Sequence, residues 1–417
     1  MEHNLYYLSS IQCNIFDVFF KKNVFSAVFR KEICHVTLVI RRSDAIFTPL
    51  EKGVFTMNIA EIDKNYAAVP IEGFDFVFYD ALTDIPEMLE GLPFGKKDQQ
   101  YCRIPQTMLD EVSPGVRSLA WSTSGVTLRF VSDTPAVTVK YTPEHTLDID
   151  NIPLTTRAGL DIYRRKTGGS FIHCGTLRYN GNTSMQLKNA LLCKNSDGTI
   201  YEYLINFPLY GGVGNFALGI VKGSRFETAP AHKVPHPVLF YGSSITQGAA
   251  ASRPGNHYCA RLCRAVDAEE INFGFAGNAK GEQNIATLTA SLELSAYILD
   301  YDHNAPTLEH LQNTHSAFFR TIRKIQPQLP VIMLNRPANW ESGDTAGLRA
   351  RRDVIYRTYL DAVNAGDKNV RFIEGECLFE GLDRSDCTSD LTHPNDVGFE
   401  RMYRKILPVL QEVLKIK

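Results

Sequence analysis

The chain has 417 residues, 44% hydrophobic and 22% charged, with a formal net charge of −2. That length exceeds one typical domain and that apolar content can fill at least one large core, so two domains are expected, and the near-neutral balance without a sustained Lys/Arg stripe points away from nucleic acid as a partner. Nine cysteines lie scattered with no Cys-x-x-Cys pair, which suits reduced thiols better than a disulfide framework or a zinc site, and no apolar run is long enough for a membrane span.

Residues 1–56 carry apolar patches, Phe16 to Phe20, Phe25 to Phe29 and Val36 to Ile40, interrupted by Lys-Lys, Arg-Lys and Arg-Arg pairs that follow neither a period of two nor one of 3.6. The stretch Met1 to Asn23 lacks the basic start, apolar middle and small-residue cleavage site of a secretory signal, so a cytoplasmic location is expected. A bacterial source is expected, and for one Glu51-Lys52-Gly53-Val54 can be encoded by a purine-rich run of the kind that forms a ribosome-binding site. The expectation is a non-domain extension over 1–56 and a working chain that begins at Met57.

A β domain is expected over 57–230, its strand texture starting near Phe74. Gly125 to Phe130 and Ala136 to Tyr141 alternate apolar and polar residues around Ser132-Asp133-Thr134-Pro135, which predicts a hairpin. Leu160 to Arg165, Phe171 to Tyr179, Glu202 to Pro208 and Asn215 to Val221 continue as short strands, a spacing that suggests a β-sandwich or jelly roll. Gly211-Gly212-Val213-Gly214 has a strand and not a helix after it, so it reads as a hairpin turn and not a phosphate loop.

The proline-rich stretch 231–237 reads as a linker, and 238–417 as an α/β domain. Strands are predicted at Val238 to Tyr241, Glu270 to Phe273, Ala296 to Tyr301, Val331 to Asn335 and Val370 to Ile373. Helices are predicted near His257 to Val266, Glu282 to Ser291, Thr307 to Ile325, Gly347 to Ala365 and Val397 to Leu414. Such alternation implies a parallel sheet covered by helices on both faces. The turn Gly242-Ser243-Ser244 ends its first strand, where side chains project into the crevice beyond the sheet, although these residues equally suit plain turn chemistry. In Asp390-Leu391-Thr392-His393 a carboxylate three positions before a histidine can orient the imidazole and free its other nitrogen to act as a base; it can equally mark a cap or loop.

Gly242-Ser243-Ser244-Ile245 resembles block I of the SGNH (GDSL-type) hydrolases, and Asp390-Leu391-Thr392-His393 resembles their block V. Between them Asn272 to Ala279 looks like the Gly block, with Gly277 in the matching place, and Asp302-His303-Asn304-Ala305 looks like the Asn block, with Asn304 in the matching place. Two departures stand out: Ser243 replaces the usual block I Asp, and Asp-His-Asn-Ala replaces the usual Gly-x-Asn-Asp. Upstream, Gly159-Leu160-Asp161-Ile162-Tyr163 is similar to the Gly-x-Asp-Leu-Tyr signature of the β-rich domain that precedes the catalytic domain in one group of SGNH-type esterases; by periodicity alone it is a strand.

These resemblances imply a flavodoxin-like SGNH hydrolase domain behind a β-sandwich. They imply Ser244 as nucleophile, His393 as general base and then acid, Asp390 as its orienting group, and an oxyanion hole from the backbone N–H groups of Ser244 and Gly277 and the Asn304 amide. The implied activity is a serine esterase acting on small acyl esters, acetyl esters of carbohydrates above all, on a small-molecule or oligosaccharide substrate, with no cofactor and neither nucleic acid nor membrane as partner. A non-catalytic carbohydrate-binding protein that uses the sandwich, and a lipase- or thioesterase-type acyl hydrolase, are the alternatives.

His303, His310 and His315, seven and five positions apart, do not line one helical face as metal ligands would, so no metal is expected; they read as surface or core histidines or as lining the crevice, where His303 is a candidate substrate-binding residue. Arg336 and Trp340 follow the fourth strand and suit a sugar ring or an anionic group, or equally a plain loop.

Overall fold

The computed structural model describes residues 73–145, 149–177, 188–337 and 344–416; the extension 1–56 and Trp340 lie outside them. In chain order the first strands are β1 Phe76–Asp80, β2 Leu89–Glu90, β3 Thr127–Ser132, β4 Ala136–Pro143, β5 Leu160–Arg165, β6 Ile172–Leu177, β7 Lys188–Lys194, β8 Tyr201–Asn206, β9 Val213–Val221 and β10 Phe226–Thr228. They form two antiparallel sheets, β1-β9-β4-β7 and β10-β3-β8-β5-β6, with β2 on the edge of β3. Leu128, Phe130, Val139, Tyr141, Ile205 and Leu218 fill the core between them, each fully buried.

The predicted hairpin is corrected. β3 pairs with β8, β10 and β2 in one sheet, while β4 lies between β9 and β7 in the other. Pro135 has no N–H to give a ladder, and the connection is a corner tied by Thr134, whose hydroxyl donates to Ala136 O at 2.8 Å and accepts from the Val221 N–H at 3.1 Å. Both strands then turn apolar side chains toward the shared core. Gly211-Gly212 is likewise no hairpin turn, because β8 and β9 belong to different sheets. Its backbone instead runs against other backbone, with Gly211 N–H on Arg157 O at 2.6 Å and Gly212 N–H on His145 O at 3.3 Å, an approach that a Cβ would block.

Five parallel strands follow: β11 Val238–Gly242, β12 Glu270–Gly274, β13 Ala296–Asp300, β14 Val331–Leu334 and β15 Val370–Ile373. Their order, β12-β11-β13-β14-β15, is that of a doubly wound flavodoxin-like sheet. Alternation within a strand serves two cores. Leu239 and Tyr241 face the helices Gln283–Ala290 and Leu308–Ile325, whereas Val238 and Phe240 face Tyr258–Val266 and Asp396–Leu414. Cys102, Ile104, Val116 and Leu119, from the long connection between β2 and β3, join the first of these cores, so this part of the β region is built into the α/β layer. The fully buried Arg103 caps the join, donating to Asn272 O at 2.7 Å and Gly274 O at 3.0 Å.

The two layers also meet in an ionic network. Residues 229–237 have no regular element, yet His232 within them bonds Asp267 Oδ1 and Glu90 Oε1, each at 3.1 Å. Arg165 reaches Asp267 at 3.1 Å and Glu202 at 2.8 Å, and Arg129 reaches Glu202 at 2.6 Å. Burial alone would push the His232 imidazole down, but the two carboxylates raise it to about 9. A raised histidine contributes stability that is complete below its unfolded-state pKa and lost as pH climbs through about 9. In urea unfolding between neutral pH and mildly alkaline pH, the native chain should therefore lose on the order of 2 kcal/mol more than His232→Gln. Equal slopes in the two proteins would remove His232 from the network's energetics.

Candidate active site

The ends of the parallel strands bring the four sequence blocks to one edge. β11 runs into the short helix Ser244–Gln247, which Ser243 caps by accepting the Ile245 N–H at 3.2 Å. Beyond β12 lies Gly277, in the left-handed region at φ 68°, a conformation open chiefly to glycine. Beyond β13 the turn Asp302–Asn304 carries Asn304, whose amide is fixed by donating to Phe275 O at 2.9 Å. No partner for the Ser244 or Gly277 N–H is found among the described residues.

Asp390 and His393 come from the turn before the last helix, which Asn395 caps by accepting from the Val397 and Gly398 N–H groups at 2.9 and 3.2 Å. Ser244 Oγ lies 2.9 Å from His393 Nε2, and His393 Nδ1 lies 2.6 Å from Asp390 Oδ2. The other carboxylate oxygen accepts the backbone N–H groups of Thr392 at 3.0 Å and His393 at 2.7 Å. Burial pushes the Asp390 carboxyl up, but the His393 backbone N–H and imidazole outweigh it and hold it below the usual carboxylate range. A hydroxyl bonded to an imidazole, itself bonded to a carboxylate, can lose its proton as it attacks an electrophile.

His303 stands beside this array with its Nδ1 buried and unbonded, and burial with the nearby Arg336 pushes it down to about 3, so it is neutral. Arg336 does reach this edge, half-buried beside Asp302, whose Oδ1 accepts the Arg336 backbone N–H at 3.0 Å. Burial raises Asp302 to about 6 against the pull of Arg336 and Arg351. The other two histidines of the predicted set take separate partners: His310 bonds Lys280 O at 2.7 Å and the buried His315 bonds Thr358 Oγ1 at 2.9 Å. His257, Cys259 and Glu270, a group that sequence reading did not single out, bring donor atoms within 4.8 Å of one another. The charges of Arg264 and Arg261 near His257, and the Asn272 amide on Glu270 at 3.0 Å, make that pocket unfavourable to a cation.

Several supporting residues also escaped the sequence reading. Gln247 accepts the Ala276 N–H at 2.9 Å and donates to Leu209 O at 3.1 Å, and Tyr210 donates to Ser244 O at 3.1 Å. Asn151 reaches Asp390. The fully buried Asp161 accepts from Gly255 N–H at 2.8 Å, Arg253 at 2.7 Å and Asn206 at 2.7 Å, and Tyr163 bonds the same Arg253. The signal for this clamp was present in the Gly-x-Asp-x-Tyr pattern, whose Asp and Tyr share one face of β5.

A hydroxyl, an imidazole and a carboxylate in line at the carboxyl edge of a parallel α/β sheet can carry out acyl transfer, to water or to another acceptor. Residues 235–411 match the GDSL-like Lipase/Acylhydrolase family, and residues 76–226 match the GxDLY family, described as the N-terminus of SGNH-hydrolase-type esterases. A candidate GDSL-like lipase from Bacteroides ovatus is similar at 26% identity, over 82% of this chain and 99% of that one, with a TM-score of 0.73. The salicylyl-acyltransferase SsfX3 of a tetracycline biosynthetic pathway aligns at 18% identity over 80% and 97% of the two chains (TM-score 0.64). A family two carbohydrate esterase from Clostridium thermocellum in complex with cellohexaose aligns at 13% identity over 71% and 94% (TM-score 0.54). The last two likenesses speak for the fold. No curated protein matches the sequence. The chain belongs to the SGNH (GDSL-type) hydrolases and is an ester hydrolase.

The clamp predicts its own test. Replacing Asp161 by Asn keeps the shape but leaves Arg253 without its buried partner, which should cost about 3 kcal/mol in urea unfolding. Native stability in Asp161→Asn would show that the contact carries none of it.

Proposed function

We propose that this ester hydrolase acts on small acyl esters, acetyl esters of carbohydrates foremost, by a serine mechanism. The observation that carries the reading is the unbroken line from Ser244 Oγ through His393 to Asp390, with bonds of 2.9 and 2.6 Å. Ser244 Oγ attacks the acyl carbon while His393 Nε2 takes its proton and Asp390 balances the imidazolium. The carbonyl oxygen, now an anion, accepts from the Ser244 and Gly277 N–H groups and the Asn304 amide. Collapse expels the alcohol, which leaves with the proton from His393. Water then attacks the acyl-enzyme by the same route, releasing the acid and restoring Ser244.

The carbohydrate part draws support from the family two carbohydrate esterase bound to cellohexaose, which shares this fold, and from the polar edge formed by His303 and Arg336. Hydrolysis rates across acetyl, butyryl and longer nitrophenyl esters, followed by mass spectrometry on acetylated oligosaccharides, test it. A preference for long chains would overturn the acetyl assignment.

Ser244→Ala and His393→Ala should each lower kcat by on the order of 10⁶ with the circular dichroism unchanged, because the array acts as a unit. Asp390→Asn should cost less. A Ser244→Ala protein that keeps a tenth of native activity would exclude this nucleophile. Asn304→Ala should lower kcat by about 10²–10³ with little change in KM, as expected for one lost oxyanion donor. A change confined to KM would make Asn304 a binding residue instead.

A further inference from the structure

We propose that Asn151, delivered from the β region, is a positioning residue for the Asp390–His393 pair. This rests on the reading of Ser244, His393 and Asp390 as the reacting array. Asn151 Nδ2 donates to Asp390 Oδ2 at 2.6 Å although the two residues lie 239 positions apart. The same nitrogen is 3.5 Å from His393 Nδ1, which itself donates to Asp390, so Asn151 acts on the imidazole through the carboxylate.

The count of donors makes the case. An ionised carboxylate has about four lone-pair sites. Oδ1 takes the Thr392 and His393 backbone N–H groups, and Oδ2 takes the His393 imidazole and the Asn151 amide. Asn151 therefore completes the set and fixes the carboxylate plane in which the imidazole must lie. The Asp390 side chain is 31% exposed, so without Asn151 that position opens to water and the carboxylate gains freedom to turn.

The segment around Asn151 is anchored to the catalytic layer on its C-terminal side. Ile152 packs with Leu209, Tyr210, Ala249 and Ala250 next to the nucleophile turn. Thr155 and Thr156 donate their hydroxyls to Ser252 O and Ala251 O. An asparagine on so short and tethered an arm holds its amide at a set distance from Asp390.

The test uses the full chain with Asn151→Ala and the near-isosteric Asn151→Asp, assayed on nitrophenyl acetate. Loss of one charge-assisted hydrogen bond should lower kcat by about tenfold in Asn151→Ala, with KM and thermal midpoint close to native. Asn151→Asp, which keeps the shape but replaces the donor by a like charge, should fall further. A merely structural role predicts that kcat per folded molecule stays native in both variants while only the thermal midpoint drops, and that result overturns the proposal even where the alanine variant folds poorly. The second readout is the low-field proton on His393 Nδ1, assigned with His393→Ala and expected to move in Asn151→Ala. If the native protein shows that proton but Asn151→Ala leaves it and kcat unchanged, Asn151 has no part in positioning. Absence of the proton from the native protein, with His393→Ala still active, would defeat the underlying array instead.

Discussion

The buried carboxylate of Asp161 is the contact on which the site depends. It lies on the face of a sandwich strand, yet two of its donors, Arg253 and the Gly255 N–H, belong to the loop that follows the nucleophile turn. That loop in turn holds the histidine segment: Ala250 N–H donates to Pro394 O at 2.7 Å, and Ser252 N–H and Asn256 donate to Asp396 at 2.9 Å each. A buried charge left without these partners would be strongly destabilising, so Asp161 fixes one position of the loop relative to the sheet. Ser244 and His393, 149 residues apart, meet at 2.9 Å because one loop is tied to both the sandwich and the last helix.

Charge is distributed around this frame with a consistent sense. Beneath the nucleophile turn, burial and the neighbouring Asp302 raise Asp300 to about 8, so it keeps its proton at neutral pH while accepting from Thr246 and Tyr258 at 3.0 Å each. His303 is held neutral. Asp390, by contrast, is held ionised by its hydrogen bonds. A buried acid that keeps its proton and a partly exposed acid held ionised leave the Asp390 charge aligned with the imidazole, which on the proposed mechanism favours charge developing on His393.

Much of this was legible in the sequence. The five parallel strands and their helices announce themselves through short apolar runs followed by longer amphipathic stretches, and Ser244 could be placed at the end of such a strand, whereas Gly277 and Asn304 were placed by resemblance to the family's Gly and Asn blocks. Pairing inside the sandwich was not legible. Gly125 to Phe130 and Ala136 to Tyr141 have the local pattern of a hairpin, and only the long-range partners of β3 and β4, which are β8 and β9, decide that they sit in different sheets. Cys102 to Leu119 looks like part of the β region and packs into the α/β core, because burial depends on what a surface meets in three dimensions. Asn151 carries no local signal at all: it is one polar residue in the turn Asp150-Asn151, given its place by a carboxylate far along the chain.

Ser243, where the family pattern has an Asp, follows from the same electrostatics. Its side chain is almost wholly enclosed, its N–H donates to Asp300 O at 3.2 Å, and its hydroxyl caps the turn that presents Ser244. A carboxylate here could cap the turn equally well and would gain from the helix N-terminus. It would also be an enclosed charge, which costs free energy unless it is paired. A hydroxyl supplies the cap without adding a buried charge. The departure from the pattern therefore leaves the line from Ser244 through His393 to Asp390 intact, since none of its bonds passes through position 243.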